Sequence, residues 1–136
     1  MARLPLFYLI AAAACMVGGV CLGIFMGIAH DFQLAPVHAH LNLLGWTSLG
    51  LMGLVHRGWP ELLAARVPAL AQFGLCVTAA TMFPFGIYLS ITQEAPGVAI
   101  GASVAWLAGV LLFLVRLVLL ALRPAGARMP AMLPAE

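Results

Sequence analysis

Leu4-Pro-Leu-Phe-Tyr-Leu-Ile-Ala-Ala-Ala-Ala-Cys15-Met-Val-Gly-Gly-Val-Cys-Leu-Gly-Ile-Phe-Met-Gly-Ile-Ala29 contains no charged residue. A helix that crosses a bilayer needs roughly 20 predominantly apolar residues, and this stretch exceeds that length. Arg3 followed by an apolar run through Ala14-Cys15 superficially resembles a signal peptide or a lipoprotein cleavage site. The run goes far beyond a signal h-region of roughly 7–15 residues, so it reads as an uncleaved first span.

Three more such runs follow. The second is about Val37 to Val55, between Pro36 and Trp59-Pro60. The third is about Pro68 to Ile91, entered through the short amphipathic Glu61-Leu-Leu-Ala-Ala-Arg66, and the fourth is about Val98 to Leu122. The expected architecture is all-α: one domain, residues 1–122, forming an integral membrane four-helix bundle. A tail from Arg123 to Glu136, with Pro124, Pro130 and Pro134, has no core to join and reads as disordered and cytoplasmic.

Composition agrees with spans. Of 136 residues, 65% are hydrophobic and 7% charged, against about 25% charged in a soluble domain. Mean hydropathy is +1.13. Basic residues are all arginine, and a net charge of +2 gives no phosphate-tracking surface, which excludes nucleic acid as a partner. Cys15, Cys21 and Cys76 form no CxxC and lie in apolar stretches, where they read as small hydrophobes.

Orientation follows from arginine placement. Arg3, Arg57, Arg66, Arg123 and Arg128 fall in the N-terminus, the second connection and the tail. Arg116, in the last turns of span four, is close enough to snorkel to the same side. The first connection (His30 to Pro36) and the third (Thr92 to Pro96) contain no arginine. Both termini are therefore expected in the cytoplasm, in a multi-pass protein of a bacterial inner membrane.

Small residues four apart form grooves for close helix approach. Span one carries Gly19, Gly23 and Gly27, and span four Gly97, Gly101, Ala105 and Gly109. Such stripes serve packing within the bundle, packing between protomers of a homodimer, or a flat ligand laid on the glycine face. Pro84 should kink span three and free the carbonyl near Ala80, with Thr81 its nearest partner.

Ionisable residues inside a membrane are costly and mark candidate sites. His30, His38 and His40 cluster at the first outer connection, while His56 stands alone at the other end of span two. His38 and His40 are about 200° apart around a helix, and His56 is about 24 Å beyond His40 along the axis. The first two cannot easily be trans ligands from one helix, and His56 cannot share their metal. For His56, beside Arg57 and Trp59, an interfacial side chain bonded to a loop carbonyl is the simplest reading. For His30, the acidic neighbour Asp31 at a helix end suffices.

His40 lies about one turn into its span, with Asn42 and Trp46 following. Partial desolvation there favours a neutral imidazole, whose lone pair suits a metal. His30, Asp31, His38 and His40 together could supply a zinc or copper site of three or four ligands. Haem needs only one or two axial ligands and an apolar slot, and glycine faces with Phe25, Trp46, Phe85 and Trp106 suit it better. The cofactor-binding candidates are thus His40, His38, His30, Asn42 and Trp46, with His40, His38 and His30 as metal ligands.

Pro36-Val-His-Ala-His-Leu-Asn-Leu-Leu-Gly-Trp46, continuing to Trp59-Pro60, resembles the second transmembrane helix of subunit I of haem–copper oxidases and nitric oxide reductases. It is more similar still to small four-span bacterial membrane proteins known as cytochrome-c-oxidase-subunit-I-like. The specific match covers about twenty residues. In the oxidase helix a histidine near the outer membrane face binds the low-spin haem, and the resemblance places that role on His40, with His38 the competing register. This chain departs from the pattern. No histidine follows His56, and Gln72 stands where members of the small group often carry a histidine early in span three. The sixth ligand is left open among His30, His38 of a second protomer, Met26, Met82 or none.

The resemblance thus implies a b-type haem protein that transfers electrons with a redox partner protein or binds O2 or NO. Two imidazoles would favour electron transfer and a five-coordinate iron gas binding. Ligands for a second metal centre are missing, which speaks against a complete oxidase or reductase. The alternative is a non-haem copper or zinc module, or an accessory or structural subunit of a larger membrane complex.

Overall fold

The computed structural model describes residues 1–123; the expected disordered tail from residue 124 onward lies outside the described residues. The described chain is helical, joined by short turns. Helix α1 spans Leu4–Ala29, α2 Ala35–His40, α3 Leu49–Gly58, α4 Arg66–Gln93 and α5 Gly97–Ala121. Between α2 and α3 the chain continues helically as a π segment, Leu41–Ser48, and a 3-10 turn, Pro60–Leu63, precedes α4. Among the described residues three helices, α1, α4 and α5, are long and apolar enough to cross a membrane.

Local chemistry explains the ends. Pro5 sits in the first turn of α1, where its missing N–H costs nothing. His30 then closes the helix in the left-handed conformation, φ 51°, with its N–H and that of Asp31 both returned to the Met26 carbonyl. That pattern satisfies the terminal carbonyl. Glu94 closes α4 in the same way at φ 53°.

The expected second span, about Val37 to Val55, is not one regular α-helix. Side chains take carbonyls that the α ladder would use: Asn42 Nδ2 donates to the His38 carbonyl at 2.9 Å, and the Ser48 hydroxyl donates to the Leu43 carbonyl at 2.8 Å. The wider π winding (i→i+5) also resets the helix phase, so the angle between His40 and His56 is not that of a regular helix. Gly45 lies in this segment against Cys15, with no space for a side chain.

Helix α1 packs along α3 and the π segment, α4 packs along α5, and α2 reaches α4. The core between them holds Tyr8, Ala12, Leu44, Leu49, Met52, Ala69, Cys76 and Ala80. Small residues set the approach distances. A Cβ at Gly86 would strike the Ala99 backbone, and one at Gly109 would meet the Cys76 sulfur at 2.6 Å. The glycine stripes therefore divide: Gly19, Gly23 and Gly109 serve contacts within the chain, while Gly27, Gly97 and Gly101 face open space. Cys15 and Cys76 are buried as expected, whereas Cys21 is exposed.

Pro84 lies inside a continuous α4. The Thr81 hydroxyl is not the partner of the Ala80 carbonyl. It donates to the Val77 and Thr78 carbonyls at 3.1 and 2.9 Å, because in a helix a hydroxyl reaches one turn back.

Candidate functional site

Polar side chains gather in two places, one around His38 and His40 and one around His56. In the first, His38 turns toward α1. Its Nδ1–H donates to the Gly19 carbonyl at 2.8 Å, a carbonyl being able only to accept. The remaining ring nitrogen faces the Asn42 amide at 3.5 Å, a contact at the limit of a hydrogen bond. Gly23 makes room for this ring, since a Cβ there would lie 3.0 Å from His38 Cε1. Asn42 is thus a partner of His38 and packs on Gly19.

His40 turns toward α4 instead. Its Nδ1–H donates to the Pro36 carbonyl one turn back at 2.8 Å, and its ring meets Phe83 edge-on, with centroids 4.9 Å apart. The Nε2 lone pair has no hydrogen-bond partner among the described residues. His38 and His40 therefore have different neighbours on different helices. His30 is the exposed cap of α1, and Trp46, 41% exposed, lines an apolar cavity of about 210 Å³ with Leu9, Gly50 and Leu54. Of the expected aromatic slot, Phe25 and Phe85 point outward and Trp106 packs on the core. Among the described residues, no three His, Cys, Asp or Glu side chains form a metal-holding group. A three-ligand site from His30, Asp31, His38 and His40 is thus not assembled within one chain.

The second cluster corrects two sequence expectations. His56 is not bonded to a loop carbonyl but fully buried, and Arg116 does not snorkel outward; it is only 8% exposed and points into the helix assembly. His56 Nδ1–H donates to the Met52 carbonyl of its own helix at 2.7 Å. Arg116 Nη1 approaches His56 Nε2 at 3.4 Å and also donates to Gln72 Oε1, while Nη2 donates to the Leu62 carbonyl. Because Nδ1 must donate and Nε2 faces a donor, the imidazole here is the neutral Nδ1–H tautomer. Its ring is stacked between Tyr8 and Phe113, at centroid distances of 5.2 and 5.7 Å. The Tyr8 hydroxyl is buried without a hydrogen-bond partner among the described residues.

Tyr8, Gln72 and Arg116 were missed as a group because they come from three different helices. The available signal was the cost of a charge in a span: Arg116 and Gln72 are polar groups inside apolar runs.

No family model, no curated protein and no solved structure matches the chain.

Proposed function

We propose that the chain is a small b-type haem protein of a bacterial inner membrane, crossing it four times with both termini in the cytoplasm. The second crossing is the composite helix from Ala35 to Gly58, and all the arginines then lie toward one side. The reading rests on His40. Its Nδ1–H is held by the Pro36 carbonyl, which fixes the ring and leaves the Nε2 lone pair available. An outer hydrogen bond of this kind orients a ligating histidine and raises its basicity.

One chain offers one such free imidazole, which suits haem, since haem needs a single protein ligand at minimum. It suits a copper or zinc centre less, since such a centre draws several ligands from one place. The open glycine face at Gly97 and Gly101 supports a homodimer in which a second protomer supplies the other side of the haem pocket. Bound haem would supply one-electron or gas-binding chemistry; His40 would hold the iron, and Phe83 would restrain the ring. The role is electron transfer with a redox partner protein, or binding of O2 or NO.

The test is the absorption spectrum of the purified protein before and after dithionite. A Soret band that shifts on reduction supports the reading. Colourless protein carrying stoichiometric copper or zinc overturns it.

A further inference from the structure

Arg116 is nine-tenths buried, yet the partners of its guanidinium, Gln72 Oε1, the Leu62 carbonyl and His56 Nε2, are all neutral acceptors. Neutral dipoles solvate a buried cation but leave its charge unbalanced, a costly state in an apolar surround. The group also has more N–H donors than the three engaged here.

Beside it lies a cavity of about 230 Å³ between α5, the 3-10 turn and the start of α4. Arg123, just past the end of α5, shares this cavity with Arg116. Leu112 and Val115 continue the wall along α5 on the far side of Arg116 from Arg123, giving an apolar lane that runs on from the basic pair, while Leu119 lies between the two arginines. Glu61 stands at the same cavity as its one acidic residue, with its side chain exposed.

We propose that this cavity binds an anionic phospholipid, the phosphate between Arg123 and Arg116 and an acyl chain running from there along Val115 and Leu112. Basic pockets between membrane helices are suited to acidic headgroups, and an apolar lane one helix face wide suits a chain. A free phosphate would use the same arginines but gain nothing from the lane. The site is separate from His40, so it stands or falls independently of haem binding.

The experiment is thermal unfolding of the purified full chain in detergent, with added phosphatidylglycerol, phosphatidylcholine or inorganic phosphate, and native mass spectrometry of the lipid retained. Phosphatidylglycerol should raise the midpoint and remain bound, while phosphatidylcholine and phosphate should not. Arg123→Gln, on an exposed side chain, should lower retention several-fold without unfolding the protein. Arg57→Gln, which removes an arginine outside this cavity, should leave retention unchanged, and Glu61→Gln should leave it equal or higher. Equal loss in R57Q and R123Q would reduce the effect to general attraction, and equal stabilisation by inorganic phosphate would assign the site to a soluble anion. Loss of retention in E61Q would make Glu61 part of the binding group. Each of these three results overturns the proposal.

Discussion

Replacing Gln72 by leucine removes the side-chain carbonyl that accepts from the Arg116 guanidinium, while keeping nearly the same volume in the core. Interhelical hydrogen bonds between neutral groups in membrane proteins are worth about 0.6 kcal/mol on average and at most about 1.7. A bond to a charged group contributes about 1.5–3 kcal/mol. The Gln72–Arg116 bond belongs to the second class. The other contact of Gln72, to Met52 sulfur at 3.9 Å, adds little. Gln72→Leu should therefore destabilise the fold by about 2 kcal/mol, roughly a 30-fold change in the folded-to-unfolded ratio. Arg116→Met leaves the Gln72, Leu62 and His56 acceptors all without a donor. In the Gln72→Leu background one of the three is already gone, so the double variant should fall short of the sum by about 1 kcal/mol or more. Reversible unfolding in mixed micelles with increasing dodecyl sulfate, followed by tryptophan fluorescence, measures all three variants. A Gln72→Leu cost below about 0.5 kcal/mol, with additive behaviour in the double variant, would refute the buried Arg116 network.

The same assay tests helix approach. Gly86→Ala places a Cβ against the Ala99 backbone and should cost about 1–3 kcal/mol, while Gly74→Ala, which meets open space, should stay within about 0.5; equal costs would contradict the α4–α5 packing. Gly23→Ala crowds the His38 ring and should lengthen its bond to the Gly19 carbonyl, read as an upfield shift of the His38 Nδ1 proton; an unmoved proton would place the ring elsewhere. A reporter fused after Glu136 should read cytoplasm, and a periplasmic signal would overturn the proposed orientation.

The three long helices were legible because apolar length alone decides them. Helix α1 has the bounds read from the sequence, and α4 and α5 differ from the expected spans by two residues or fewer at each end. The π segment was not legible. An apolar pattern identifies a helix but not which carbonyls Asn42 and Ser48 will take from its ladder. Arg116 was misread because nearness to a helix end measures depth along the axis and says nothing about the face. Its face is set by Gln72, His56 and the Leu62 carbonyl, which the sequence scatters over three other segments. The separation of His38 from His40 was readable, since a spacing of two residues on a helix sends them to different neighbours: Gly19 on α1 and Phe83 on α4.

The most direct test of the account is haem content per chain in the wild type, His40→Ala and His38→Ala, measured as the pyridine haemochrome on protein purified in parallel. The account predicts haem in the wild type, near-complete loss in His40→Ala, and a smaller loss in His38→Ala, whose ring is committed to the Gly19 carbonyl. Full haem occupancy in His40→Ala, or a wild type without haem, would contradict it.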